Sequence, residues 1–233
     1  MKANSNVAVI ASLVSETSRA AILTVLLDGR FHAASELAYM AGIQPQTASF
    51  HLAKMVNANV VAVEKQGRHR YYGIRNQEVA QVMESLLSLA SPVQIKSLKQ
   101  ASEDKALRYA RTCYDHLAGS IGVQLTNALL RAGILREDKE GFAVTEDGED
   151  FFVSFQINLE QVKKKRRSFS HKCLDWSERR HHLAGALGNA LLEKLLEVNW
   201  VQRLPNTRAI KITSEGKMGF KEVFSLDVED EQG

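Results

Sequence analysis

The sequence predicts a mainly α-helical protein with small β-hairpins, organised as two successive domains. Three observations support this fold class. Apolar residues recur at helical spacing through the first third of the chain. A β-branched run and an aromatic run flank a Gln66-Gly67 turn, and the second half contains an internal repeat. The 233 residues are 45% hydrophobic and 24% charged, an ordinary globular composition that excludes collagen, coiled coil and general disorder.

Five helices and one hairpin are predicted in the first part of the chain. Ser15 or Thr17 is expected to cap the second helix, which ends at Gly29. Pro45 stands in the first turn of the fourth helix, where its missing N–H costs little, and Pro92 breaks the fifth. The predicted elements are, in order, helices at NVAVIASLV (6–14), SRAAILTVLLDG, AASELAYMAG and QPQTASFHLAKMV, a hairpin at VVAVEKQGRHRYYGI, and a helix at NQEVAQVMESLLSLA.

This order of helices and hairpin is the plan of a winged helix-turn-helix. A turn at Gly42 sets two short helices at an angle, so that the second can enter a DNA major groove while the basic hairpin beside it reaches phosphates. The charge distribution agrees with this plan. Residues 44–75 contain five basic residues and one acidic residue, or +4, whereas the whole chain carries 30 basic and 27 acidic residues, or +3.

The candidate DNA contacts lie on the fourth helix and the hairpin. Glutamine suits adenine edges, serine and threonine suit bases or phosphates, and the basic residues suit phosphates. A polar surface helix without DNA contact is the alternative, and His51 has two open roles, a hydrogen bond within the domain or a DNA contact. Ala48, Leu52 and Met55 are expected in the core. The candidate DNA-binding residues are Gln46, Thr47, Ser49, Phe50, His51, Lys54, Arg68, His69 and Arg70.

Two stretches, LVSETSRAAILTVLLDGR and SELAYMAGIQPQTASFHLAKMVNANVVAVEKQGRHRYYGI, resemble the ArsR-type bacterial repressors over residues 8–90. That family has a Ser/Thr-rich recognition helix ending in His-Leu, then a short apolar stretch, then Gly-Arg and a tyrosine in the wing. The resemblance implies a homodimer that binds double-stranded DNA, with the first and fifth helices at the interface. The positions that match are Ser49, His51, Leu52, Gly67, Arg68 and Tyr72.

The internal repeat lies in the second half. His-Leu-Ala-Gly at 116–119 recurs at 182–185, an offset of 66 (182 − 116), and Gly122 matches Gly188. Each copy continues with an amphipathic helix, a break, a short strand and a Thr-x-x-Gly step. The pattern predicts two winged-helix-like units, at about 108–160 and 172–226, after a winged-helix domain at 1–91. Residues 92–233 are then a sensor or interaction domain, similar to the C-terminal extension of a long ArsR-type subgroup.

Several function classes are excluded or disfavoured. Two cysteines are too few for a secreted disulfide scaffold, which favours the reducing cytoplasm. No apolar run reaches the roughly 18 residues that a membrane span needs. No glycine-rich phosphate loop, G-x-S-x-G or H-E-x-x-H motif is present, so neither an enzyme nor a cofactor is expected.

The second half contains the candidate effector or redox residues. The metal ligands typical of ArsR-type proteins have no counterpart here, because the third and fifth helices contain neither cysteine nor histidine. Cys113-x-x-His116 with Cys173 leaves a Cys₂His₂ site chemically conceivable, but buried hydrophobic cysteines are the simpler alternative, and no metal ligand is assigned. His171 and Asp175 are further polar residues of this region. The effector or redox candidates are Cys113, His116, Cys173, His181 and His182.

The sequence therefore predicts a cytoplasmic bacterial transcriptional regulator. We expect a repressor that binds operator DNA as a dimer and is released by an unknown small-molecule or redox effector, sensed by the C-terminal domain. The alternative is a winged-helix adaptor, a protein-interaction module without DNA binding. The basic run KKKRR at 163–167 is either a solvated face or an extension of the DNA contact surface.

Overall fold

The structure, a computed structural model, divides into two compact units. The first contains residues 1–84 and the loop 205–207, and the second contains 85–204 and 208–233. The division falls within the fifth helix, whereas the sequence predicts a boundary after residue 91. The described residues are 7–91, 94–139 and 141–229.

The first unit combines helices with a three-stranded antiparallel sheet. The five predicted helices and the hairpin are all present, and a short strand precedes the third helix. This strand, β1, pairs with β3, which gives the sheet order β1-β3-β2. The elements are α1 Val7–Val14, α2 Thr17–Leu26, β1 His32–Ala33, α3 Ala34–Met40, α4 Pro45–Asn57, β2 Val61–Gln66, β3 His69–Ile74 and α5 Gln77–Leu89, which crosses the boundary.

The cap of α2 differs from the prediction. Neither Ser15 nor Thr17 caps the helix; the N-cap is Glu16, whose carboxylate accepts hydrogen bonds from the backbone N–H groups of Ser18 and Arg19, at 3.1 and 2.9 Å. A carboxylate at this position satisfies two otherwise unpaired donors and lies at the positive end of the helix dipole. The longer glutamate side chain therefore caps the helix in place of the expected serine or threonine.

The core of the first unit is built on one stripe of α2, as the helical spacing predicts. Of the predicted stripe, Leu23, Leu26 and Leu27 are fully buried, as is Ile22, and Ala20 is half-buried. Residues three and four apart share one helix face. The predicted apolar stripe of α5 is only partly covered. Of that stripe, Met83 is buried and Val79 and Leu87 are half-buried, whereas other apolar side chains of α1 and α5 are exposed. These exposed side chains are Val7, Val9 and Ile10 of α1 and Val82, Leu86 and Leu89 of α5. Pro92, predicted to end the fifth helix, lies outside the described residues.

The second unit contains two series of elements in the same order, each a hairpin, a long helix, a second hairpin and a further helix. Helix α6 precedes the first series, and the short helix α9 lies between the two. The elements are α6 Leu98–Tyr109, β4 Arg111–Cys113, β5 His116–Ala118, α7 Gly119–Arg131, β6 Leu135–Glu137, β7 Phe142–Val144, α8 Glu146–Ser154, α9 Leu159–Lys163, β8 His171–Leu174, β9 His181–Ala184, α10 Gly185–Glu197, β10 Val201–Arg203, β11 Ile210–Ile212 and α11 Ser214–Phe224.

The repeated His-Leu-Ala-Gly motif marks a junction between strand and helix. In each copy the first three residues form a strand and the glycine begins the long helix. Gly119 has φ +79° and Gly185 has φ +85°, values that favour glycine, and a Cβ at either would lie 2.8 Å from a backbone carbonyl oxygen. The hairpins that contain these strands are not predicted from the sequence.

The core of the second unit is formed mainly by the long helices α7 and α10. Their inward faces are buried as the spacing of leucines and isoleucines predicts, including Ile121, Leu125 and Leu129 of α7 and Leu187 and Leu191 of α10. Aromatic side chains from α8, α11 and the segment before β10 pack together beside them. These aromatic residues are Phe151, Phe152, Phe155, Trp200, Phe220 and Phe224.

None of the described helices is by itself both long enough and apolar enough to cross a membrane. Helices α1 and α2 taken together pass that test by length and composition, but they are bent by 86° at their junction.

Candidate DNA-binding surface and cysteine–histidine cluster

Helix α4 buries one face and exposes a polar one. Ala48, Leu52 and Met55 are fully buried, as predicted, because they recur at three- and four-residue spacing. On the opposite face, the ammonium of Lys54 lies 4.3 Å from the ring centroid of Phe50, a cation–π contact. The Ser49 hydroxyl donates to the carbonyl of Pro45 at 3.0 Å. The predicted contact residues exposed on α4 are Gln46, Thr47, Ser49, Phe50 and Lys54.

His51 does not belong to this exposed face. Its side chain is buried, with Nδ1 3.3 Å from a guanidinium nitrogen of Arg19 and Nε2 3.4 Å from the Glu16 carboxylate. Since a guanidinium only donates, Nδ1 must accept, which places the ring proton on Nε2, towards Glu16. Both ring nitrogens therefore serve contacts within the unit. Of the two roles left open by the sequence, the structure supports the internal hydrogen bond, and we remove His51 from the proposed DNA contacts.

The β2–β3 hairpin carries exposed cations at its tip. Gln66 pairs with His69 across a two-residue turn of Gly67 and Arg68, and Lys65 pairs with Arg70. Arg68, His69 and Arg70 are exposed. Among the described residues, none forms an ion pair with either arginine, although Arg68 lies 3.5 Å from the ring of His69. The guanidinium groups of the tip are therefore available to an anionic partner.

The predicted effector candidates of the second unit come together on two hairpins. In the β4–β5 hairpin Cys113 lies opposite His116, and in the β8–β9 hairpin Cys173 lies opposite His182. The two Sγ atoms are 3.7 Å apart and the two Nε2 atoms are 3.1 Å apart. All four of these atoms lie within 4.8 Å of one another, and only Cys173 is half-buried; the others are buried. We call these four residues the Cys₂His₂ cluster.

The fifth candidate, His181, lies outside the cluster. It occupies the first position of β9, where successive side chains point to opposite faces, and it is exposed, whereas the next residue, His182, is buried. His171, at the start of β8, is half-buried and also lies outside the cluster. Burial and the nearby cations His116 and Arg167 lower the pKa of His171 to about 4.

Each cluster histidine has a carboxylate behind it. Asp115 lies 3.4 Å from Nδ1 of His116, and Asp175 lies 3.4 Å from Nδ1 of His182. Each carboxylate is in turn paired with an arginine. Arg167 donates from both terminal nitrogens to Asp115, and Arg111, which is fully buried, donates to Asp175 at 2.9 Å. The two halves of the cluster therefore have the same chain of contacts: arginine, aspartate, histidine.

The carboxylates and the histidines shift each other's pKa. Burial would raise the pKa of Asp115, but hydrogen bonds from His116 and Arg167 outweigh it and lower the value to about 2. Burial would likewise raise the pKa of Asp175, which His182, Arg111 and Ser177 hold well below its usual range. For His116, burial would lower the pKa, but the charge of Cys113 and the contact with Asp115 raise it to about 9. The surroundings thus stabilise positive charge beside the two sulfur atoms.

Three residues of this site were missed by the sequence reasoning: Arg111, Asp115 and Arg167. The position of Asp115 directly before His116 was an available signal. No signal in the sequence indicated Arg111 or Arg167, because their partners, Asp175 and Asp115, lie 64 and 52 residues away along the chain.

The basic run is partly engaged within the second unit. Lys163 forms ion pairs with Glu149 and Glu160, at 3.3 and 3.6 Å, Lys165 donates to the Asn189 side chain at 2.9 Å, and Arg167 pairs with Asp115. The lysines of the run remain exposed.

An open pocket of about 440 Å³ lies along α8, α9 and the segment between them, lined by residues including Val153, Ile157 and Leu159. None of the effector candidates lines it.

Comparison with known proteins identifies the family. The chain is 52% identical over 225 residues to the uncharacterized HTH-type transcriptional regulator YdfF of Bacillus subtilis, covering 97% of this chain and 100% of that protein. No protein-family model matches the chain. Solved structures with similarity include HlyU from Vibrio cholerae (27% identity, TM-score 0.35, 38% of this chain and 97% of that one). A homodimeric winged helix-turn-helix DNA-binding domain of Mb0332 from Mycobacterium bovis is also similar (25% identity, TM-score 0.33, 38% of this chain and 88% of that one). The full-length match to YdfF shows that the chain belongs to the HTH-type transcriptional regulators, as the winged helix-turn-helix pattern of its first third predicted.

Proposed function

We propose that the protein is a dimeric transcriptional repressor that binds operator DNA through α4 and the β2–β3 wing and acts in the cytoplasm. The observation that carries this proposal is the exposed polar face of α4 on the same compact unit as the cationic hairpin tip. In a winged helix-turn-helix, the N-terminal residues of the recognition helix contact base edges. Gln46, Thr47 and Ser49 occupy those positions, and Arg68 and Arg70 supply the phosphate contacts.

Dimerisation is supported by the apolar side chains that α1 and α5 leave exposed. Val7, Val9 and Ile10 on α1, and Val82 and Leu86 on α5, are exposed large hydrophobic residues, and exposed apolar side chains of this kind are available to a partner. The resemblance to ArsR-type repressors implies an interface at these two helices. Two recognition helices related by a twofold axis would read half-sites about one helical turn of DNA apart, roughly 34–36 Å.

The second unit is proposed to be the sensor or interaction module, built from two winged-helix-like repeats. The parallel order of elements in its two halves supports the repeat. An effector bound there can change DNA affinity only if it favours one arrangement of the dimer over another. The alternative function, an adaptor without DNA binding, differs in one measurable respect: it has no salt-dependent affinity for DNA.

Replacing Arg68 and Arg70 together by alanine is expected to weaken binding to all DNA sequences. Each phosphate contact contributes about 0.9 to the slope of log K against log salt, so the slope should fall by about 1.8 per protomer. Fluorescence anisotropy with the promoter DNA of the protein's own gene, titrated over a range of salt concentrations, measures both quantities.

The matched control removes two exposed lysines of the second unit, Lys99 and Lys211, by alanine substitution. It changes the net charge equally and should leave the slope near the wild-type value. Equal weakening by both double variants would contradict the wing assignment, and wild-type protein without salt-dependent DNA binding would favour the adaptor.

Replacing Gln46 by alanine is expected to reduce discrimination between operator and random DNA. A good base contact is worth about 1–3 kcal/mol, roughly a 5- to 150-fold change in the specificity ratio. Competition between the two DNAs measures the ratio directly. Asn57→Ala is the control, because it removes an exposed amide from the C-terminal end of the same helix. Equal losses on both DNAs would show that Gln46 contacts only the backbone or orients the helix.

A further inference from the structure

We propose that Cys113, His116, Cys173 and His182 form a closed tetrahedral site for a zinc-type divalent metal ion, which joins the β4–β5 and β8–β9 hairpins within the second unit. The proposal concerns the second unit alone and does not depend on DNA binding. None of the four ligands belongs to the winged helix, whose third and fifth helices contain neither cysteine nor histidine.

Two of the distances between ligand atoms match those of a tetrahedral zinc site. Zinc binds thiolate sulfur at about 2.3 Å and imidazole nitrogen at about 2.0–2.1 Å. In a regular tetrahedron of these bond lengths, two sulfurs are about 3.8 Å apart and two nitrogens about 3.3 Å apart. The observed distances are 3.7 Å between the sulfurs of Cys113 and Cys173 and 3.1 Å between the Nε2 atoms of His116 and His182. Both opposite edges of the tetrahedron are therefore already close to the required length.

The facing imidazoles need a cation or a proton between them. Nδ1 of His116 contacts the Asp115 carboxylate, and Nδ1 of His182 lies 3.4 Å from Asp175 without a hydrogen bond. The two Nε2 atoms face each other at 3.1 Å, so a proton or a metal ion must lie between them. Carboxylates placed behind histidines in this way orient metal ligands and raise their basicity. A metal ion between the two Nε2 atoms takes the place of a shared proton and uses both carboxylates.

A disulfide explains less of this arrangement. The sulfurs are 3.7 Å apart, whereas a disulfide bond is about 2.05 Å long, and neither cysteine forms a disulfide in the structure. A disulfide would also give no role to the two histidines whose Nε2 atoms face each other. The cluster brings one cysteine and one histidine from each hairpin to a single point, which is the pattern of a four-ligand site.

The charges around the site balance with a divalent ion in place. Binding requires two thiolates and two neutral imidazoles, so the additional protons that these four ligands hold are released to solvent, and the two thiolates neutralise the two positive charges of the ion. The two aspartates behind the histidines are already neutralised, Asp115 by Arg167 and Asp175 by Arg111. Because four protein ligands complete the tetrahedron, no position is left for water or substrate, and the site is structural and not hydrolytic.

The test is a titration of the reduced full-length protein with Co²⁺, followed by Zn²⁺. We expect one Co²⁺ per chain, with the intense visible d–d bands of tetrahedral cobalt and a sulfur-to-cobalt charge-transfer band, both removed when Zn²⁺ displaces the cobalt. Cys173→Ser is the preferred variant, because it is nearly isosteric at a half-buried position. It should lose the charge-transfer intensity of one thiolate and bind about tenfold or more weakly, with an unchanged circular dichroism spectrum.

The matched pair is His182→Ala and His181→Ala, neighbours on β9 of which only His182 belongs to the cluster. His182→Ala should lose the tetrahedral spectrum, and His181→Ala should retain it. Absence of a tetrahedral cobalt spectrum in the reduced wild-type protein would overturn the proposal, as would unchanged binding by folded Cys173→Ser or equal loss by His181→Ala. A Cys113–Cys173 disulfide that forms readily in a protein unable to bind Co²⁺ when reduced would assign the cluster to thiol redox chemistry instead.

Discussion

Replacing Asp175 by alanine is expected to lower the free energy of unfolding of the second unit by about 3–5 kcal/mol. The Asp175 carboxylate and the Arg111 guanidinium are both fully buried and 2.9 Å apart. Removing one partner of a buried pair leaves the other charge without compensation, which costs far more than the intact pair contributes. Arg111 would keep its hydrogen bonds to the Leu107 carbonyl and the Ser177 hydroxyl and its contact with the ring of Trp176, but these groups do not neutralise it.

The carboxylate also organises the backbone around it. It accepts hydrogen bonds from the backbone N–H of Gly119 at 2.7 Å, at the start of α7, and from the N–H groups of Ser177 and Glu178 in the β8–β9 loop. Asparagine at position 175 retains an acceptor but not the charge. We therefore expect Asp175→Asn to lose less stability than Asp175→Ala, and the difference between the two variants separates the lost charge from the lost backbone contacts.

Urea denaturation followed by tryptophan fluorescence measures this effect selectively. The chain has two tryptophans, Trp176 and Trp200, and both belong to the second unit, so the signal reports on that unit. Asp150→Ala is the control, since this carboxylate is exposed on α8, and surface changes of this kind usually stay within about 0.5 kcal/mol. A loss below about 1 kcal/mol for Asp175→Ala would show that the Arg111–Asp175 pair is not the buried charge centre described above.

The winged helix could be predicted from the sequence because its signals are local. The apolar spacing of α2 and α4, Pro45 in the first turn of α4 and the Gln66-Gly67 turn each identify an element from within a few residues, and the structure contains all of these elements. What stayed open there depended on a contact between elements. His51 stands on the recognition helix in sequence, yet Glu16 and Arg19, more than 30 residues earlier, hold it inside the unit.

The second unit was less predictable because its key strands are very short. Strands β4 and β5 have three residues each, too few for the alternation of apolar and polar side chains that identifies a strand. The sequence repeat indicated that Cys113 and Cys173 occupy corresponding places, since each precedes a His-Leu-Ala-Gly motif. It did not predict that each cysteine pairs across a hairpin with His116 or His182, because the loop of one hairpin has two residues and that of the other has six.

Replacing Gly148 or Gly216 by alanine is expected to cost about 3 kcal/mol in each case, at the upper end of the usual range for overpacking. These glycines are the last residues of the two Thr-x-x-Gly steps, and their N–H groups donate to the capping hydroxyls of Thr145 and Thr213, at 2.9 and 2.8 Å. A Cβ would lie 2.1 Å from the Ile134 carbonyl oxygen at Gly148, and 2.0 Å from the Trp200 carbonyl oxygen at Gly216. Backbone oxygens cannot rotate away as a side chain can.

The similarity of the two steps makes this a test of the repeat as well as of the packing. Each threonine hydroxyl also donates to carbonyls in the turn before its hairpin, including that of Ile134 or Trp200. In both copies the capping threonine, the glycine and the turn are therefore in direct contact. The alanine would regain up to about 1 kcal/mol of the clash energy through its higher helix propensity. If the clash costs about 3 kcal/mol, the smallest net loss of stability consistent with it is therefore roughly 2 kcal/mol.

Met218→Ala is the control, because it shortens an exposed side chain of α11 without adding an atom near Trp200. Equal and substantial losses at Gly148 and Gly216, measured by urea denaturation, would show that both copies depend on the same close approach of helix to turn. A neutral result at either position would mean that its helix can move away from the turn, and that the two copies are not packed alike.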